Sequence, residues 1–238
     1  MTMASPIVVH QYAPAFGAPS GSPFCVKLTT WLNMADIDYT SEVLWDPRRA
    51  PQGKLPYITD GTTTVADSDV VIAHLREERG IALDEHLTPA QAAHAHALKR
   101  MIEESLYFVL VRLRWMTDDG WPLVKAAYFG AIPAPLRWIV PGVARRQVRR
   151  DLHGQGYGRH ALSAVDAMGV ADVDAIAAAL GEEAFLFGSP STIDAIAYAF
   201  LSALACFPAP SATRDRVQGD PRLTAYITRM RDRYWADA

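Results

Sequence analysis

Hydrophobic and polar positions change their rhythm near residue 88. Upstream, short β-rich runs alternate with helical spacing, the signature of an α/β unit. Residues 7–12 predict a first strand. A loop rich in Pro, Gly and Ser over 13–22 leads into an amphipathic helix over 23–35, with Pro23 in its first turn and Cys25, Leu28, Leu32 and Ala35 at helical spacing. Residues 39–44 predict a second strand, and 55–59 with 63–66 a hairpin turning at Asp60-Gly61. Ser68 is placed to cap a helix reaching Arg79, which Gly80 can end in a left-handed conformation.

After a short patternless linker the period is helical, and no segment predicts a strand. Thr88, Pro89 and Gln91 form a capping box for a long helix to about Met116, apolar on most faces and so expected to be the central, buried one. Residues 118–141 are aromatic-rich and broken by prolines, and helices are predicted over 143–153, 159–180, 192–207 and 221–235. Ser191 and Asp194 make a capping-box variant ahead of a strongly apolar helix, a structural role. The division expected is an α/β domain over 1–82, a linker over 83–88 and an all-α domain over 89–238.

Composition narrows the function classes. With 238 residues, half of them hydrophobic, the chain can bury a sizeable core. A formal net charge of -3 gives no global attraction to nucleic acid or anionic membranes. Two cysteines cannot form a disulfide framework, and the N-terminus lacks the basic-then-apolar pattern of a secretory signal, so a reducing cytoplasm is expected. Residues 120–143 are interrupted by Lys125, Arg137 and four prolines, so no membrane span is expected.

Three points in the first domain carry candidate chemistry. Ser22 and Cys25 lie within one turn of a helix N-terminus, where the positive end of the helix favours a thiolate. Ser22 also reads as an N-cap that accepts from the helix and donates to a bound sulfur, and Cys25 as a small core residue on the face of Leu28 and Leu32. Lys54-Leu55-Pro56 opens a strand with a residue that cannot donate to the ladder, and a cis bond there would turn Leu55's backbone outward as an edge for a peptide. Asp67-Ser68 begins a helix, where free amides and the Ser68 hydroxyl suit a carboxylate and Asp67 an ammonium.

Together these residues resemble the thioredoxin-like domain of the glutathione transferase superfamily, and more closely the branch of the metaxins, the failed-axon-connections proteins and their bacterial relatives. The supporting stretches are 22–27, 53–58, 66–72, 100–115, 185–195 and 221–235. The resemblance implies a thioredoxin-like domain followed by an all-helical one, and glutathione as co-substrate. It implies that Ser22 contacts the glutathione sulfur, Leu55 before a cis Pro56 pairs with the cysteinyl backbone, and Asp67 with Ser68 holds the γ-glutamyl end. It further implies a homodimer and thiol addition to a small hydrophobic electrophile, as in detoxification. Residues 45–54 are too few for the helix many members carry there, leaving Arg48, Arg49 and Lys54 as candidates for the glycyl carboxylate. Tyr107, Arg100, Arg114 and Trp115 could line a substrate cleft, with Tyr107 and Trp115 equally readable as core aromatics. Rival readings are a glutaredoxin-like oxidoreductase through Cys25 and a non-catalytic binding or scaffold protein.

Other signals carry less. Gly154, Gly156 and Gly158 follow no strand and read as a joint between helices. Arg145, Arg146, Arg149 and Arg150 read as one solvated helical face, with a partner or lipid surface as the lesser alternative. His94 and His96 point to nearly opposite sides of a helix, so no metal site is expected.

Overall fold

A computed structural model describes residues 7–236. Strands β1 (Ile7–Gln11), β2 (Tyr39–Val43), β3 (Tyr57–Asp60) and β4 (Thr63–Ala66) form one sheet in the order β2-β1-β3-β4. The β1–β2 pair is parallel, as a crossover through α1 (Pro23–Met34) requires; β1–β3 and β3–β4 are antiparallel. The tight turn between β3 and β4 uses Gly61 at φ +60, and α2 (Ser68–Arg79) ends at Gly80 in the left-handed region as the sequence predicts. Its N-cap is Asp67, whose carboxylate accepts from the Asp69 amide, so Ser68 is the first helical residue instead of the cap. Between β2 and β3 stands only a 3-10 turn over Pro47–Arg49.

The rest of the described chain is helical: α3 (Pro89–Met101), α4 (Tyr107–Met116), α5 (Gly120–Phe129), α6 (Leu136–Gln155), α7 (Leu162–Leu180), α8 (Thr192–Ala205), α9 (Ala212–Gly219) and α10 (Pro221–Tyr234). The long helix expected after Thr88 begins at its capping box but is divided by a π turn over Ile102–Leu106. Only Leu98 of α3 is buried. The central element is α8, in which every residue from Ile193 to Leu204 is buried. The Pro-broken segment holds α5 and the first turns of α6, where Pro141 sits inside the helix. Helix α9 went unforeseen because its polar eight residues carry no apolar stripe.

Helix α1 joins the halves. It buries nine of its twelve residues and packs along α8. The Trp31 indole donates to Thr192 Oγ1 (3.0 Å), and the Trp235 indole to Thr30 Oγ1 (3.1 Å). Asp84 accepts from the Thr192 amide (2.7 Å) and pairs with Arg76, tying the linker to the start of α8.

Candidate active site

The register of the sheet gathers the three sequence-predicted points. His10 at the end of β1 faces Tyr57 at the start of β3, which faces Ala66 at the end of β4, and Gln11 is beside Val43 at the end of β2. The loop carrying Ser22, the Leu55-Pro56 step, Asp67-Ser68 and the turn carrying Arg48 therefore all leave from one end of the sheet. Such an edge, with two helix N-termini over it, is where an open α/β sheet presents backbone amides.

Ser22 is the N-cap of α1 and half-buried, yet its side chain makes no capping bond to the helix, unlike the sequence expectation. The hydroxyl lies instead against the Cys25 sulfur, together with the Ser20 hydroxyl and the Tyr12 backbone. Burial pushes the Cys25 thiol up, and those hydrogen bonds offset it only in part. Cys25 is fully buried and packs with Ala50 and Leu55, with Tyr12 and Tyr57 at the edge, so it is a core residue as one reading held, in a cluster apart from that of Leu28 and Leu32. A sealed, protonated thiol is a poor nucleophile.

The Leu55-Pro56 bond is cis. Strand β3 begins its pairing at Tyr57, so Leu55's backbone stands outside the ladder. Asp67 is exposed and holds φ +79, a conformation an L-residue adopts at a cost of about 1–3 kcal/mol. Ser68 beside it is buried. Lys54 is exposed; Arg48 is exposed too, but its guanidinium is engaged by Asp46 through two bonds of 2.8 and 2.7 Å.

The proposed pocket residues separate. Arg114 is buried and turned toward the Ser22 loop, donating to the Gly21 carbonyl (2.8 Å) and the Ala203 carbonyl (3.3 Å), between the rings of Phe16 and Phe207. The Tyr128 hydroxyl donates to the same Gly21 carbonyl (2.8 Å). A Cβ on Gly21 would lie 2.6 Å from the Tyr128 ring, so glycine is what admits that brace. Tyr107 meets Phe24 edge-on at 4.9 Å, two residues from Ser22, and Trp115 packs with Trp121, Tyr128 and Phe129. Arg100 pairs along its own helix with Glu104 instead.

Two features escaped sequence reasoning. Tyr12, just past β1, borders Cys25 and stacks on Tyr128; burial foremost drives its hydroxyl far up, so it stays a proton donor. Its place directly after the first strand was the signal. Behind the site, Lys27 is wholly buried and pairs with Asp69 (2.6 Å) and Glu103 (2.5 Å), while Lys99 holds Asp69 from outside (2.5 Å). Burial pushes the Asp69 carboxyl up, but the ammonium groups of Lys27 and Lys99 outweigh it and hold it low. Deeper Glu103 is pushed up by burial despite Lys27.

Family models bring this geometry together with known proteins. Residues 23–120 match the glutathione S-transferase N-terminal domain, and residues 169–230 the glutathione S-transferase C-terminal domain. The isoprene-epoxide–glutathione S-transferase of Rhodococcus sp. (strain AD45) is 33% identical over 235 residues, 96% of this chain and 99% of the relative. The chain belongs to the glutathione S-transferase family. Failed axon connections of Drosophila melanogaster is 26% identical over 97% of this chain, which spans 58% of that protein's length, and metaxin-1 of Macaca fascicularis is 25% identical over 98% of this chain and 76% of its own. Among solved structures, glutathione transferase GSTFuA3 from Phanerochaete chrysosporium superposes with a TM-score of 0.68 at 15% identity, covering 99% of this chain and 100% of its own. The CsGST63524 transferase of Ceriporiopsis subvermispora, in complex with glutathione, does so at 0.64 and 14% over 98% of each chain. The two-part architecture and the metaxin and failed-axon-connections branch expected from sequence are borne out.

Proposed function

We propose that this protein is a glutathione transferase, with residues 1–82 binding glutathione and residues 89–238 supplying the wall against which a small hydrophobic electrophile is held. What supports the assignment is the gathering of Ser22, Leu55-Pro56 and Asp67-Ser68 at one end of the sheet. The groups suit the tripeptide. Ser22's hydroxyl makes no capping bond to the backbone of its helix, Leu55's backbone is outside the ladder, and Asp67 is an exposed carboxylate beside a helix N-terminus. Lys54 is the better-placed cation for the glycyl carboxylate, and Arg48 would first have to leave Asp46.

In this mechanism the glutathione thiol loses its proton, and the thiolate is stabilised by the Ser22 hydroxyl and the α1 dipole. Its sulfur attacks an electrophilic carbon, forming the C–S bond. With an epoxide, the electrophile in the name of the Rhodococcus relative, the C–O bond breaks and the oxygen takes up a proton. Arg114 and Tyr128 hold the Gly21 carbonyl and so fix the backbone from which Ser22 projects. A cytoplasmic homodimer acting in detoxification is part of the same proposal. The oxidoreductase alternative through Cys25 is disfavoured by that thiol's burial, and the scaffold alternative predicts no glutathione binding.

Calorimetric titration with reduced glutathione is the direct test. Binding in the micromolar to millimolar range is expected, with a melting temperature that rises with ligand concentration. The absence of both binding heat and a thermal shift at saturating glutathione would overturn the transferase reading.

A further inference from the structure

Helix α6 carries a surface the transferase reading does not use. Leu136, Trp138, Ile139 and Val143 are 53%, 70%, 59% and 60% exposed, so four of the nine large hydrophobics left exposed among the described residues fall within eight positions. At helical spacing Leu136, Ile139, Val143, Arg146 and Arg150 share an arc of about 80°, and the exposed Arg149 and Trp138 lie about 60° and 80° beyond its Arg146 edge. The opposite side, with Pro141, Val148 and Leu152, faces the protein. Arg145 belongs to that inner border: its Nε donates to the Trp115 carbonyl and its guanidinium covers the Trp121 ring, which removes it from the solvated face expected from sequence. Arg146, Arg149 and Arg150 are exposed.

The charge along this stripe is basic, with Asp118, Asp119 and Asp151 just outside it. Residues 120–150 hold six Lys and Arg and no Asp or Glu, while the remainder carries 17 basic against 26 acidic residues and so a net charge of -9. The occupant of the stripe has to desolvate four large apolar side chains at its first half and neutralise three guanidinium groups at its second. A second copy pairing symmetrically would set arginine against arginine if parallel, or arginine against leucine and isoleucine if antiparallel. An anionic bilayer surface offers acyl chains and phosphates side by side, the combination that basic amphipathic helices bind.

We infer that residues 136–150 of α6 form a docking surface for anionic membranes, on which Leu136, Trp138, Ile139 and Val143 enter the interface and Arg146, Arg149 and Arg150 meet lipid phosphates. No helix among the described residues is long and apolar enough to cross a membrane, so the attachment is peripheral and reversible. It does not depend on the transferase reading.

The test uses the full chain with phosphatidylcholine vesicles, with and without about one third phosphatidylserine. Co-sedimentation with the anionic vesicles alone is expected, lost as salt rises. The tryptophan emission should shift to the blue on binding, and Trp138→Phe should abolish most of that shift. Replacing Arg146, Arg149 and Arg150 by Gln should weaken partitioning roughly fivefold per charge. Ile139→Ser should weaken it with the melting temperature little changed, since Ile139 is 59% exposed and belongs to no buried cluster among the described residues. No binding to either vesicle, or binding that survives all these substitutions, would overturn the proposal. So would self-association abolished by Ile139→Ser without vesicle binding, which would make the stripe a contact between copies.

Discussion

At the scale of single residues the chemistry divides between Ser22 and Cys25, three positions apart and in different surroundings. Ser22 is half-buried with a hydroxyl that makes no capping bond and lies against the Cys25 sulfur, whereas Cys25 is sealed under Leu55 and Ala50. Ser22→Ala is expected to raise the pKa of the bound glutathione thiol by about one unit, shifting the pH–rate profile upward and slowing conjugation roughly tenfold near neutral pH. Affinity should change less, because the remaining contacts hold the peptide. Cys25→Ala should cost about 1 kcal/mol of stability and leave that profile in place. Thiolate absorbance against pH for parent and both variants is the measurement. Activity lost only in Cys25→Ala, with a glutathione mixed disulfide trapped on the parent, would return the central role to the thiol.

At the scale of elements, α8 depends on what Asp194 does at its start. The carboxylate is fully buried and accepts from the Ser191 amide (2.9 Å), the Leu186 amide (2.8 Å), the Ser191 hydroxyl (3.0 Å) and the Tyr226 hydroxyl (3.0 Å). It therefore fastens the preceding loop and α10 to the helix as well as capping it. Asp194→Ala strands several buried donors and should cost about 2–4 kcal/mol, more than a surface cap, while the kinetic constants of folded protein stay unchanged. Burial, set against those donors, pushes the Asp194 carboxyl up to about 6. Between its ordinary range near 4 and that value the folded protein binds the extra proton, so this group's contribution to stability falls as pH rises from about 4 to 6. In denaturant titrations the advantage of the parent over Asp194→Asn should shrink across that window by up to about 3 kcal/mol. A gap that is flat with pH would show the carboxylate to be ionised throughout.

At the scale of the whole molecule, Lys27 ties α1 to α2 through Asp69 and to the π turn after α3 through Glu103, joining the halves beneath the proposed glutathione site. Lys27→Met leaves the Glu103 carboxylate buried without its cation, and a loss of about 3 kcal/mol is expected, moderated because Asp69 keeps Lys99 and 37% side-chain exposure. Adding Glu103→Gln to that variant should recover much of the loss, a non-additivity that chemical denaturation of the single and double variants would register. The deficit of Lys27→Met should also shrink as pH falls, since Glu103 is already pushed up and its protonation removes the uncompensated charge. Additive losses, independent of pH, would mean that the two groups act separately.

What the sequence by itself determined lies in interactions that reach a few residues along the chain. The periods of 2 and 3.6 placed the strands and α1, the Thr88–Gln91 box began α3, and Gly80 closed α2. Ser22, Leu55-Pro56 and Asp67-Ser68 were legible in order because each is a local device at the mouth of a helix or strand. Their meeting at one edge was decided by sheet register, as was Tyr12's place beside Cys25. The depth of Cys25, the turn of Arg114 toward Gly21 93 residues away, and the partners of Lys27 at separations of 42 and 76 residues were likewise tertiary decisions. A buried ion or a sealed thiol has the same local sequence as an exposed one. Only the packing of distant elements sets how much water each group loses, and that loss fixes its charge, its partner and its reactivity.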